Sequence, residues 1–198
     1  MRILTVSDVE AKKYYEHYRA GALKGIDLIL SCGDLRRQYL EFLVTMAGCP
    51  LLYVRGNHDD GFVNEPPEGC TCIDGEVVRV GGLRIAGLGG CHKYRDGLNM
   101  YTEGEMARRY MRMLPSIVKS GGIDILLTHA PAYGLGDMDT IPHRGFNTFK
   151  KIMDKHKPAY MIHGHIHMTY GINVDRVIEY KETTIINAYE SYVLEIDE

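Results

Sequence analysis

The sequence predicts an α/β fold, a four-layer α/β/β/α sandwich of two mixed sheets with helices on both outer faces. Three observations carry this expectation. The N-terminal part repeats a unit of short aliphatic strand, polar tip and helical spacing, the pattern of parallel βαβ units. The middle turns to two strands flanking a Gly-Gly pair, and the C-terminal part holds short strands only. Nothing between them reads as a repeat, a low-complexity tract or a linker, so residues 1–198 are expected to form a single domain.

Taken in order, residues 2–7 are a β-branched and aliphatic run that stops at Asp8, and residues 11–24 are long enough for a helix. Residues 27–31 repeat the strand and end at Gly33-Asp34. Residues 36–47 follow with Tyr39, Leu40, Leu43 and Met46 at helical spacing, and residues 51–54 form a third strand ending at Gly56-Asn57-His58-Asp59. Residues 76–80 and 83–87 flank Gly81-Gly82 and predict a hairpin that begins a second sheet. Over residues 102–119 Thr102 is a helix N-cap with Glu105 as its capping partner, and Pro115 should kink or split that helix. Residues 123–127 and 159–162 return to buried-strand composition on either side of a helix over 145–156, and each runs on into histidine. Strands over 177–180, 184–187 and 192–196 are expected to close the second sheet.

Composition narrows the function. Lys+Arg 23 against Asp+Glu 26 leaves a net charge of −3, with no field to gather polyanions, which argues against nucleic acid as a partner. No window nears the ~18 apolar residues of a membrane span, and the N-terminal run enters Ser7-Asp8 without a cleavage-like stretch, so the expectation is a soluble, cytoplasmic protein with no membrane partner. Cys32, Cys49, Cys70, Cys72 and Cys91 are odd in number and spaced for neither a disulfide framework nor a zinc knuckle, which fits a reducing compartment. The sequence carries no signal for an oligomeric state.

Five strands end in residues that bind metals: Asp8 with Glu10, Asp34, Asn57 with His58, His129, and His165 with His167. Singly, each has a bland explanation as a turn residue or a structural histidine. Together, at the carboxyl ends of strands where open α/β sheets bind ligands, they point to one site at the edge of the first sheet. Imidazoles and carboxylates without thiolate favour Mn, Fe, Zn or a similar divalent ion. These donors are too many for one ion, and two ions about 3.5–4 Å apart need a shared ligand, for which a carboxylate such as Asp34 is suited. Gly33, Gly56 and Gly164 would let the backbone pass close to such a cluster.

The set Asp8-Val9-Glu10, Gly33-Asp34, Gly56-Asn57-His58-Asp59, Thr128-His129 and Gly164-His165-Ile166-His167 resembles the five signature blocks of the calcineurin-like metallophosphoesterases, in family order over nearly the whole chain. The resemblance implies the four-layer sandwich and hydrolysis of phosphomonoesters or phosphodiesters at a two-metal centre, where hydroxide attacks phosphorus in line. It implies one ion on Asp8, Asp34 and His167, the other on Asp34, Asn57, His129 and His165, and Asp34 as the bridge. It also makes His58 the residue facing the scissile phosphate, as general acid for the leaving oxygen or as a stabiliser of charge, and Asp59 is the nearest anion in sequence to keep it protonated. The first block departs from the usual Asp-x-His. Glu10 in the third position either binds the first ion, favouring Mn over softer ions, or turns away and leaves that position weak.

Around the centre, the glycine-rich loop 87–96 carries His92, Lys93, Tyr94 and Arg95 and is expected to form a lip toward substrate, with His92 as a binding residue. Arg144, beside His143 at a helix start, is expected to meet a phosphate. His163 is expected to be a satisfied core histidine, and Tyr14, Tyr15 and Tyr18 the packing face of a helix. The reading is a dimetal phosphoesterase acting on a small phosphorylated substrate, with Mn favoured. Its rivals are a non-catalytic binding module on the same fold, which would not need His58 and a nearly complete ligand set, and a nuclease, which would need a groove for nucleic acid.

Overall fold

Aliphatic runs buried on both faces, the composition of parallel strands covered on two sides, form β1 (Arg2–Val6), β2 (Leu28–Ser31) and β3 (Leu51–Tyr53). The computed structural model describes residues 1–170 and 174–196. β1, β2 and β3 are parallel neighbours, with Ile3 beside Leu28 and Ile29 beside Leu51, and the short β4 (Thr71–Cys72) extends the sheet. Between β2 and β3 lies α1 (Arg37–Ala47), closed by Gly48 in the left-handed conformation. It buries Tyr39, Leu40 and Leu43 as their spacing requires, whereas Met46 points to solvent.

Residues 11–24 are not the expected helix but a single 3-10 turn, Lys12–Tyr14, followed by further turns. Gly21, inside the segment, takes φ of 84°, which the interior of an α-helix does not accommodate. Tyr15 and Tyr18 instead set their rings edge-on against Phe42 of α1, at 5.1 and 5.3 Å. The tyrosines pack, as anticipated, but from a coil of turns.

The second sheet starts with the antiparallel hairpin β5 (Val77–Val80) and β6 (Leu83–Leu88) around Gly81-Gly82. β7 (Cys91–His92) and β8 (Met100–Tyr101), a small parallel pair outside both sheets, lead into α2 (Glu103–Ser120). Thr102 and Glu105 form the full capping box. Pro115 does not split α2: both it and Met111, whose carbonyl it leaves unbonded, lie on the solvent face, where water can replace the lost bond. β9 (Ile125–Thr128), α3 (Asn147–His156), β10 (Tyr160–His163), β11 (Val177–Tyr180) and β12 (Thr183–Asn187) complete a six-stranded sheet of order β11-β12-β10-β9-β6-β5.

The last strand, β13 (Tyr192–Glu195), was expected in this second sheet and belongs to the first. It runs antiparallel along β1, Arg2 beside Glu195 and Thr5 beside Tyr192, covering an edge that would otherwise expose unpaired backbone. The first sheet is therefore ordered β13-β1-β2-β3-β4.

Three apolar clusters separate four layers. Leu28, Leu30, Ile125, Leu127 and Ile162 pack sheet against sheet; Leu4, Val6 and Ile29, alternating with them, pack against Tyr39 and Leu43 of α1; and Leu126 and Met161 pack against Met106, Ile117 and Phe149 of α2 and α3. This is the four-layer sandwich of mixed sheets that the sequence predicts. The parallel strands of both sheets end at one rim, so the loops after β1, β2, β3, β9 and β10 meet there.

Candidate metal centre

One ligand atom from each of Asp8, Asp34, His129 and His165 falls within 4.8 Å of all the others. Asp8, Asp34 and His165 hold φ of 64°, 58° and 67°. Left-handed backbone costs a residue other than glycine about 1–2 kcal/mol, and it persists where neighbours hold the chain. Those neighbours are visible. Asp59 Oδ2 accepts the backbone N–H groups of Asp34 and Gly56, both at 2.8 Å; Asp34 Oδ1 accepts the His58 N–H at 2.8 Å; Asp8 Oδ2 accepts the His165 N–H at 2.8 Å. A Cβ on Gly56 would stand 2.1 Å from Asp34 Oδ1, and one on Gly33 2.3 Å from the Gly56 nitrogen, so these glycines are close approaches of backbone to the cluster.

The hydrogen bonds fix which ring atoms face the centre. His129 Nδ1 lies 2.7 Å from the Cys32 carbonyl, which can only accept, so Nδ1 carries the proton and Nε2 is the ring's donor toward a cation. Nε2 points at Asn57 Oδ1, 3.0 Å away, and Asp34 Oδ2, 3.4 Å away. Three electron-rich atoms thus converge with buried His129 at their base, an arrangement that calls for a cation. In the same way His165 Nε2 donates to the Pro142 carbonyl at 2.7 Å, leaving Nδ1 as its acceptor. His167 Nε2 lies 3.8 Å from Asp8 Oδ1, with its ring stacked on Tyr170 at 4.5 Å.

The electrostatics favour positive charge here. Burial opposes ionisation of Asp34, but the His129 charge and hydrogen bond and the His58 N–H outweigh it and hold the carboxyl at about 2. Burial likewise opposes charge on His129, yet Asp34 lifts it to about 9, so that with no ion bound a proton on Nε2 holds the place of a cation and would leave when one binds. Burial and the His129 charge push His165 down to about 3, keeping it neutral as a ligand must be. Burial raises the Asp8 carboxyl, a penalty that an adjacent cation would relieve. The donor set therefore suits divalent ions of the Mn, Fe or Zn kind.

Above the cluster a cavity of about 420 Å³ is lined by Asp8, Asp34, Asn57, His58, His165 and His167, together with Tyr94, Pro142, His143 and Tyr170. His58 is exposed into it. Asp59, anticipated as the anion beside His58, is spent on the two backbone N–H groups, and burial, then the Asp34 charge, raises it to about 6. The site spans the rims of both sheets rather than that of the first alone, because His129 and His165 follow β9 and β10. His163 is buried and held near 4 by desolvation, with Nδ1 bonded to the Gly164 carbonyl at 2.9 Å, as a core histidine should be.

Three expected residues sit elsewhere. Glu10 is outside the cluster: its two oxygens accept Arg36 Nε and Nη2 at 2.6 and 2.5 Å. His92 stacks on Phe146 with ring centroids 4.0 Å apart, bonds the Gly145 carbonyl at 3.1 Å and is absent from the cavity wall, where Tyr94 of the same loop stands. Arg144 is exposed and donates to the Asp139 carbonyl at 3.2 Å, while His143 beside it lines the cavity. Pro142 and Tyr170 were not anticipated at all. Their one sequence signal is nearness to other site residues, Tyr170 three positions after His167.

The pattern of the calcineurin-like phosphoesterase superfamily domain matches residues 1–188. Among curated proteins the chain is similar to two UPF0046 proteins of Caenorhabditis elegans, 24% identical over 189 residues and 25% over 190, covering 80% and 82% of this chain. It spans 63% and 62% of their lengths. Among solved structures it resembles the Thermus thermophilus protein TT1561, with a TM-score of 0.65, 14% identity and coverage of 96% of this chain and 89% of that one. That likeness is one of fold.

Proposed function

The chain belongs to the calcineurin-like phosphoesterase superfamily, and from that membership we propose that it is a metal-dependent phosphoesterase hydrolysing phosphodiester or phosphomonoester bonds of a small phosphorylated substrate. The observation that supports this most is the convergence of His129 Nε2, Asn57 Oδ1 and Asp34 Oδ2 beneath a cavity into which His58 is exposed. Asp34, Asn57, His129 and His165 would hold one divalent ion, and Asp8, Asp34 and His167 a second; with Glu10 drawn off by Arg36, two carboxylates, an amide oxygen and three imidazoles suit Mn, Fe or Zn. Such ions supply positive charge to the phosphoryl oxygens and a water acidified toward neutral pH.

The chain's own residues do the rest. His58, carried on the backbone that bonds Asp34 Oδ1, gives a proton to the leaving oxygen or a positive charge to the phosphate. Tyr94, His143 and Tyr170 complete the lining of the cavity and would position the remainder of the substrate. Free cysteines throughout the set accord with a cytoplasmic location, and no helix among the described residues is long and apolar enough to cross a membrane. The test is metal analysis of protein purified without chelator, with hydrolysis of bis-p-nitrophenyl phosphate and p-nitrophenyl phosphate measured under Mn, Fe and Zn. Turnover that needs metal and stops on chelation is expected. Metal-loaded protein that cleaves neither compound would leave the binding-module reading in its place.

A further inference from the structure

Glu10 and Arg36 occupy matching positions, each two residues beyond an aspartate of the centre, Asp8 and Asp34. Their side chains meet across the two loops as a bidentate pair in which both Glu10 oxygens are engaged. The Glu10 side chain is 17% exposed and that of Arg36 69%. A second cavity, of about 350 Å³, opens between this pair and the aspartates and is lined by Asp8, Asp34, Glu10 and Arg36 among others. Glu10 and Asp8 thus border one open space, and the Arg36 guanidinium holds the Glu10 carboxylate in place beside it.

We propose that Arg36 is a positioning residue that withholds Glu10 from the metal centre, so that the two ion positions fill unequally. The inference rests on the dimetal reading above. One position has four protein donors, Asp34, Asn57, His129 and His165. The other has Asp8, a share of Asp34 and His167, whose ring lies stacked on Tyr170 at the cavity wall. With Glu10 latched to Arg36 the second position lacks a further donor and binds more weakly; released, Glu10 supplies it. A partner that orients or restrains a ligand alters metal affinity by about 10- to 100-fold, and since the latch is one exposed ion pair the lower end, about tenfold, is expected.

The experiment is titration of chelator-stripped full chain with Mn²⁺, followed by the electron paramagnetic resonance signal of the free ion. Wild type should bind two ions with affinities at least about tenfold apart. Arg36→Ala should tighten the weaker step about tenfold, and Arg36→Ala with Glu10→Gln should return it to the wild-type value. Removing a cation also changes the local field, so the titrations are repeated at about 1 M salt, where screening acts within about 3 Å; a ligation gain survives there. Two equal affinities in wild type, an unchanged weaker step in Arg36→Ala, or a gain that disappears in salt would each overturn the inference. Wild type that binds no Mn²⁺ overturns the dimetal reading itself, a result distinct from the other three. Arg36 is exposed, so its loss leaves the fold in place, and a circular dichroism spectrum verifies it.

Discussion

Oδ2 of Asp8, in the loop after β1, accepts the backbone N–H of His165, in the loop after β10, at 2.8 Å and across 157 positions of chain. One bond thus ties the rim of the first sheet to that of the second. It also divides the labour of the carboxylate, because Oδ2 is occupied by the backbone while Oδ1 turns toward His167, 3.8 Å away. Both residues sit at positive φ, and the crossing bond helps offset that strain. Asp8 and His165, two of the candidate ligands, are consequently placed by backbone, which makes the site sensitive to anything that separates the two loops.

Gly164 is where that sensitivity should show. A Cβ there would stand 1.8 Å from Ser7 Oγ and 2.7 Å from Asp8 Oδ2. Gly164→Ala should destabilise the fold by about 1–3 kcal/mol through overpacking and weaken metal binding by moving Asp8 from His165. Thermal denaturation with and without Mn²⁺ checks it: wild type gains stability from the ion, the variant gains little, and an equal gain in both would refute the coupling.

His58→Asn should lower turnover of the phosphoesters by roughly two to four orders of magnitude with metal content unchanged, because the ring faces the cavity while only the backbone N–H touches Asp34. A fall in bound metal would instead make the ring a ligand.

Asp34→Asn should remove metal and activity together. The same change takes away the charge that lifts His129, whose burial then acts unopposed by its nearest carboxylate, so the His129 titration should drop from about 9. Metal analysis and an imidazole NMR titration read the two effects, and a variant that retains a full complement of ions would exclude Asp34 as the bridge.

What the sequence disclosed and what it hid divide on a physical line. Asp8, Asp34, Asn57, His129 and His165 each lie within four residues of the end of a buried strand, so strand composition announces them and parallel order brings them together. Glu10 with Arg36 and His92 with Phe146 are settled by how loops meet, and no local spacing encodes that. The same holds for β13: its alternation predicts a strand, but its place beside β1 depends on which edge is open. Residues 11–24 misled for a different reason, since the tyrosines sit at helical spacing while their rings are held by Phe42, outside the segment.

A final prediction concerns the base of the second sheet, away from the candidate metal centre. Asp124 Oδ2 accepts the Arg84 backbone N–H at 2.7 Å and its Nε at 2.9 Å, while Oδ1 accepts Nη2 at 2.5 Å. The Arg84 hydrogen bonds hold the Asp124 carboxyl below the usual carboxylate range. A carboxyl depressed on folding binds fewer protons in the folded state, so its contribution is fully present above the unfolded value, about 3.9, and is lost as pH falls through the lower folded one. Asp124→Asn should therefore reduce the free energy of unfolding by about 1–2 kcal/mol at neutral pH, with the difference from wild type shrinking as pH drops below about 4. Urea denaturation of both proteins across that range measures it. A difference that stays constant or widens in acid would show that the pair contributes through shape rather than charge.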